Sequence, residues 1–484
     1  MTKRTCSVIV LAVSAALAGC SVGPDYKRPD LDLPQAWTAA PAGAAAVSSA
    51  PRWWSVYADA NLDKLVDEAL ANSLDLSLAA AHVDEARALL GVARADQFPT
   101  VYADGGRTRS RSSANSAIRL PPGTPLETTD YRAALNVSFE IDFWGKYRRA
   151  TEAARADLLA TEAAHDTVRI SLEAQVVQSY YALIALDARH AATLRALERA
   201  RESRDLQRKR NQAGVISDFE FEQRNGEYQA NLAQLPALER DRSIQERALA
   251  VLLGRSPRAI VDAQVPRAAE SQDAAAVEAA AAQPALVVPA GLPSDLLLRR
   301  PDLREAEQRL SAANARIGAA RAAYFPSISL TGLLGVESVS LGNLFSGPSR
   351  IWNYGVQAAQ PIFGGGRVGM QVDAATAREQ AALAQYRQAV SNAFREVQDA
   401  IVSQTKAREA FEAERLHVAA LARSYGLARL RFDNGIASQL DVIEAERGLL
   451  LAELSRIEAE RAMRAAVADL YRSLGSGADA AAKG

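Results

Sequence analysis

"YRAALNVSFEIDF", residues 131–143, alternates without a break. Tyr131, Ala133, Leu135, Val137, Phe139, Ile141 and Phe143 fall on one side of an extended chain, and Arg132, Asn136, Ser138, Glu140 and Asp142 on the other. A period of two is the signature of a strand. An unbroken apolar face opposite a face with two carboxylates suits a wall between lipid and water, as in a membrane barrel. Three other segments repeat the pattern less cleanly. "IWNYGVQAAQPIF" (351–363) sets Trp352, Tyr354 and Val356 against Asn353 and Gln357; "PSISLTGLL" (326–334) sets Ile328, Leu330 and Gly332 against Ser327, Ser329 and Thr331; "PTVYADGG" (99–106) is the least regular. Four strands cannot close a membrane barrel, whose smallest form has about eight. An open edge in hydrocarbon leaves backbone groups unsatisfied at several kcal/mol each. A soluble sandwich strand would alternate similarly; if these strands span a bilayer, several chains must share one barrel. Two would leave a bore filled by side chains and three a channel; the polar inner face argues for the wider bore, and the sequence itself does not fix the number.

The ends of these segments carry aromatics followed by cations: Phe143 and Trp144 precede Lys146 and Arg148, and Phe363 precedes Gly364, Gly365, Gly366 and Arg367. That order fits a membrane interface, and the glycines allow a bend from tilted strand into helix. The triple glycine lacks the spacing and the acidic ribose partner of a nucleotide site.

The chain says everything twice. "DQFPTVYADGG" (96–106) matches "AYFPSISLTGL" (323–333), and "EIDFWGKYRR" (140–149) matches "QPIFGGGRVG" (360–369). Phe98 and Phe325 lie 227 positions apart, Phe143 and Phe363 220, and Gly214 and Gly435 221. The first copy thus has seven extra residues between its phenylalanines, expected in a loop. Each copy reads as a helical segment (61–97, then 294–324), two strands, a very long helix, a turn and a returning helix. The 68 residues from Lys146 to Ala213 contain no Gly or Pro, a helix of roughly 100 Å; the second copy runs from about Arg367 to Asn434. Leu172, Val176, Leu183, Leu186, His190, Leu194 and Leu197 form a stripe suited to coiled-coil packing.

Composition agrees with long helices and excludes much else. Lys plus Arg is 56 against 57 for Asp plus Glu, which leaves no footprint for nucleic acid. Four His and two Cys offer no metal spacing, and no catalytic constellation is present, so neither a metal nor a cofactor is expected and the chain does not read as an enzyme. At the N-terminus a charged start, the 13-residue apolar run "CSVIVLAVSAALA" and "LAGC" (17–20) read as a secretory signal ending in a sequence that resembles a bacterial lipobox. Cys20 is then the lipidated first residue, and Ser21 after it suggests export to the outer membrane.

"GPDYKRP" (23–29), "WWSVYADANLDKLVDEAL" (53–70), "FEIDFWGKYRRATEAARA" (139–156) and "GLPSDLLLRRPDLREAE" (291–307) together resemble the outer-membrane efflux lipoproteins, a branch of the TolC-like outer-membrane factor family. The resemblance covers nearly the whole chain. It implies a mostly α fold with a small β part: a homotrimer whose twelve-stranded β-barrel, four strands per chain, is continued by a long periplasmic α-helical barrel. It divides the sequence into a signal peptide (1–19), a lipid-anchored tail (20–60), a first repeat (61–254), a connector (255–293), a second repeat (294–474) and a C-terminal tail (475–484). It implies the exit duct of a tripartite efflux system in the outer membrane of a Gram-negative bacterium, docked on a periplasmic adaptor and an inner-membrane pump of the resistance-nodulation-division class. A protein-secretion duct and a coiled-coil envelope tether are the alternatives.

The helix turns fit this frame. Gly214 and Gly435 suit left-handed helix ends, and Ser217 and Ser438 can cap the returning helices. The resemblance makes Gly214, Val215, Ser217, Gly435, Ile436 and Ser438 adaptor-contacting tips. Leu440, Glu444 and Arg447 follow at i, i+4 and i+7, and by the same resemblance line a periplasmic gate. Phe219 and Gln223 stand at the corresponding places of the first copy, so only the second brings a carboxylate. A surface Glu444–Arg447 pair is the plainer alternative.

Overall fold

The computed structural model describes residues 22–34, 45–46, 52–113, 115, 121, 123–262, 265–267, 286–287 and 296–475; the signal segment, Cys20, most of the connector and the C-terminal tail lie outside the described residues. Helices α1 (Ala60–Asn72) and α2 (Leu74–Ala95) lead into strands β1 (Thr100–Arg111) and β2 (Glu127–Ile141), then into helices α3 (Lys146–Gln212) and α4 (Asp218–Leu252). The order recurs as helix α5 (Pro301–Ala322), strands β3 (Ser327–Ser338) and β4 (Arg350–Ala359), and helices α6 (Arg367–Asp433) and α7 (Gln439–Ser473). These elements form two compact units. One comprises Met1–Pro29, His82–Thr161 and Ala306–Tyr386, the other Asp30–Ala81, Glu162–Glu305 and Arg387–Gly484.

Two expectations need correction. The leading segment of each repeat is broken rather than continuous. Ser73 leaves helical geometry (ψ 128°) and its hydroxyl accepts the Leu76 amide, so it closes one helix and opens the next. In the second copy Leu296–Arg299 is separated from α5, which starts on Pro301, a residue pre-set for a first helical position. The insertion of the first copy is also shared between two places: the hairpin loop covers 112–126 against 339–349, and β2 has 15 residues where β4 has 10.

The first unit is built on a four-stranded antiparallel sheet in the order β1-β2-β3-β4. The register pairs Val101 with Val137, Leu135 with Leu334, and Leu334 with Trp352. Every apolar residue singled out within the paired strands therefore shares one face, and Asn136, Ser138, Glu140, Ser329, Thr331, Asn353 and Gln357 share the other; Phe143 lies beyond the ladder. The central ladder joins β2 of one repeat to β3 of the other, while β1 and β4 are edges. Small residues thin the polar face near its middle. A Cβ at Gly335 would lie 2.5 Å from the Ala133 carbonyl oxygen and 2.7 Å from Ala134 Cβ, which suits a sheet curving around its polar side.

The second unit is helical. Its buried seam on α3 starts as the stripe of large residues expected, with Leu172, Val176 and Leu183, but then turns to alanine: Ala185, Ala188, Ala192 and Ala196 pack on Leu450 and Ile457 of α7. Leu186 and Leu197 are half-buried and Leu194 is 42% exposed, so the leucines lie beside the packed seam. Alanine wins because a methyl side chain lets two long helices approach closely and costs no rotamer entropy. An aromatic knot pins the segment before α1 to this bundle. Trp53 stacks on Tyr471 at 5.0 Å, Tyr57 donates to the Arg464 carbonyl (2.6 Å), and Asp59 caps α1 while accepting from the Tyr180 hydroxyl (2.7 Å). Even the described part of the connector is held: Arg255 pairs with Glu68 at 2.7 Å, and Arg267 pairs with Asp187 and Glu246.

At the centre of the knot, fully buried Glu173 accepts from the Trp53 indole at 2.9 Å and from Arg169 at 3.2 Å. Burial pushes its carboxyl up to about 7, and these two partners only partly oppose that. The folded chain thus holds this proton more tightly than the unfolded one. The resulting stability is full below about 4.5, the ordinary value, and is lost as pH rises through about 7. A rise of this size corresponds to ~3 kcal/mol. Glu173→Gln should leave thermal unfolding unchanged near pH 4 and stabilise the protein progressively toward pH 8, as read by calorimetry of detergent-extracted protein at the two pH values.

Candidate channel wall and helix tips

At the helix end of the sheet the two copies are fastened differently. In the first, Trp144 stacks on Phe325 at 4.6 Å, touches Phe143, and donates its indole N–H to the Pro326 carbonyl at 2.8 Å. Gly145 turns the chain at φ 77°. Lys146 and the Tyr147 hydroxyl both donate to Glu140, at 3.1 and 2.9 Å, and Asp142 accepts the Arg148 amide at 2.8 Å. The two carboxylates of the polar strand face thus hold the first turn of α3, where anions are favoured. In the second copy Phe363 is 92% exposed, Arg367 is exposed, and Gly365 and Gly366 take φ 59° and 79°. The structure brings Phe143, Trp144, Lys146 and Arg148 into one cluster. Phe363 and Arg367 stand at the same end of the sheet without such contacts among the described residues.

Both helix turns close alike. The Gly214 amide donates to Asn211 and that of Val215 to Arg210; Gly435 and Ile436 repeat this with Phe432 and Arg431. Each glycine sits at φ 70°, where a Cβ would be strained. Ser217 caps α4 in a reciprocal box with Glu220, and Ser438 caps α7 with Asp441. Hydrogen bonds from Ser217 hold the Glu220 carboxyl below its usual range, and those from Ser438 do the same for Asp441. The spacing S-x-x-E and S-x-x-D carried this signal at 217–220 and 438–441. Val215 and Ile436 are each 69% exposed, so both tips present a bare aliphatic side chain.

Leu440, Glu444 and Arg447 lie on one exposed face of α7. Among the described residues no ion pair joins Glu444 to Arg447. The neighbouring face holds a group that periodicity missed. Glu446 is buried and accepts from Arg199 of α3 at 3.2 Å and from Arg224 of α4 at 3.3 Å, tying both helices of the first repeat to α7. Burial lowers the Arg224 guanidinium below its usual value, and Glu446 opposes that. The available sign was a Glu in helical register with Val442, Leu449 and Leu450, all of them buried.

A sequence model of the outer membrane efflux protein family matches residues 65–255 and 292–476. The chain belongs to this family. It is 35% identical to the probable efflux pump outer membrane protein TtgC of Pseudomonas putida, over 99% of this chain and 96% of that one, and 32% identical to the cation efflux system protein CusC of Escherichia coli, over 98% and 99%. The crystal structure of the CmeC outer membrane channel of Campylobacter jejuni superposes with a TM-score of 0.86, at 27% identity and 95% coverage of both chains. The protein is thus an outer-membrane efflux channel of the trimeric type, its barrel completed by four strands from each of three chains. The family relationship decides for efflux over a secretion duct or a tether.

Removing Glu446 leaves Arg224 charged and buried. Glu446→Ala should cost about 3–5 kcal/mol of stability, whereas Glu444→Ala, on the exposed face, should change it by less than about 0.5 kcal/mol; thermal unfolding of the two variants side by side checks the contrast.

Proposed function

We propose that the trimer is the passive exit duct of a tripartite efflux assembly, with its tips seated on a periplasmic adaptor that links it to an inner-membrane pump of the resistance-nodulation-division class. The observation that carries this reading is the sheet: one face is apolar throughout its central rows, the other is lined mainly with Asn, Ser, Thr, Gln and Glu, and neither edge has a partner strand among the described residues. A barrel closed from three such sheets presents hydrocarbon to lipid and hydrogen-bonding groups to a water-filled bore. Such a path does no chemistry on its cargo, and selection falls to the pump. Relatives named for toluene and for cations carry chemically unlike substrates through similar chains, which supports a permissive duct.

Val215 and Ile436, bare at rigidly capped turns, supply the apolar contacts of the adaptor seat, framed by Gly214, Ser217, Gly435 and Ser438. Leu440, Glu444 and Arg447 line the closed periplasmic entrance. The exposed face they share and the absence of a Glu444–Arg447 pair among the described residues support this placement. In a planar bilayer the Leu440→Ala/Glu444→Ala variant should pass from mostly closed to frequently open; a folded variant that keeps the closed trace of the parent removes these residues from the gate.

The lipid anchor is the remaining element. The Val22 amide donates to the Trp144 carbonyl at 3.1 Å, and Arg149 pairs with Asp25 at 2.6 Å. Further along, Arg28 and Tyr26 both hold Glu307. The described tail is therefore held beside the aromatic end of β2 from Val22 onward, which supports an anchor on Cys20, two residues earlier in the sequence. Feeding cells a palmitate analogue should label the parent protein and leave Cys20→Ser dark; label persisting in the variant excludes acylation at this cysteine.

A further inference from the structure

At the hairpin end of the sheet, the lipid-side face changes character. Along β1 that face carries Val101, Ala103 and Gly105, then Arg107, Arg109 and Arg111 at every second residue. The register sets Tyr131 opposite Arg107, Thr129 opposite Arg109 and Glu127 opposite Arg111. The Arg107 guanidinium lies 5.7 Å from the Tyr131 ring centroid. Arg109 and Arg111 both reach Glu127, at 2.8 and 3.1 Å, and keep 64% and 69% of their side chains exposed. One carboxylate thus answers three guanidinium groups, and among the described residues none pairs with Arg107.

Closing the barrel adds no acid to this face. The free edge of β1 meets a neighbour's β4, whose residues on the same side are Arg350, Trp352, Tyr354, Val356 and Ala358. Whatever the register of that joint, it brings a further cation. The strand length also sets the depth. From Ile141 to Tyr131 the β2 face is apolar for about 33 Å of strand, which a barrel tilt brings close to the height of a hydrocarbon band. Tyr131 therefore ends the band, and the arginine row begins where headgroups begin, on the side away from the Gly145 turn and hence in the outer leaflet.

We propose that Arg107, Arg109 and Arg111 form a binding row for the phosphates of an anionic glycolipid of the outer leaflet. Planar guanidinium groups match phosphate oxygens in pairs. Alternation along one strand spaces the three groups over about 13 Å, enough to meet more than one phosphate of a single headgroup, while the apolar rows below receive its acyl chains. The inference rests on the membrane placement of the sheet and on no property of the gate or tips.

The test uses the full trimer in phosphatidylcholine nanodiscs doped with bisphosphorylated lipid A or with its dephosphorylated form, with bound glycolipid counted by native mass spectrometry. The parent trimer should retain the phosphorylated lipid about tenfold better or more. Arg107→Gln/Arg109→Gln/Arg111→Gln should lose that preference, and the triple Arg→Lys variant, which keeps the charge without the paired geometry, should fall between the Gln variant and the parent. Equal retention of the two lipids by the parent, or an undiminished preference in the Gln variant, overturns the proposal. Should the Gln variant fail to assemble, the parent's comparison of the two lipids and the Lys variant still decide it. Conductance of the Gln variant reports separately on the channel.

Discussion

A backbone amide in hydrocarbon without a partner costs several kcal/mol, and an open strand edge exposes a row of them. The structure answers to this constraint. A single chain ends its sheet on β1 and β4 with no strand beside either among the described residues, so no isolated subunit can sit in a bilayer at acceptable cost. Three copies remove all the edges at once. Trimerisation is thus a condition of membrane insertion, and the polar lining of the bore follows from it, because a barrel of this circumference is too wide to fill with side chains.

The helical unit meets a different requirement. Long helices cannot bury themselves and must pack along their length. Here the packed seam narrows to Ala185, Ala188, Ala192 and Ala196 against α7, while bulkier Leu194 stays partly exposed beside it on a single chain. Charge is placed with the same economy. Glu446 is sunk between Arg199 and Arg224, whereas Glu444, two residues earlier on the same helix, faces outward. One carboxylate is buried in an ion-pair cluster and its near neighbour is exposed.

Much of this was legible in the residues. Strict alternation in 131–143 placed β2 and its two faces, and the missing Gly and Pro between Lys146 and Ala213 placed α3 almost to its ends. Gly214 and Gly435 marked the turns because left-handed geometry leaves few alternatives. What stayed hidden depended on tertiary contact. Ser73 breaks a helix through one hydroxyl that is common inside helices, and an alanine seam is invisible to a search for large apolar side chains. Glu446 and Glu444 look alike until packing separates them. The arginines of "RTRSR" (107–111) declared a spacing, but their side of the sheet became known only from the register. Cys20 remains a matter of its local motif, since it lies outside the described residues.

The central ladder between β2 and β3 is a stitch between duplicated halves. A single-copy ancestor of this design needs six identical hairpins for the same circumference, with six equal tips around the axis. Fusion of two copies reduces sixfold symmetry to threefold and frees the tips to diverge. Gln223 can stay neutral while Glu444 carries charge, and any collar of like groups then has three members, interleaved with three of another kind.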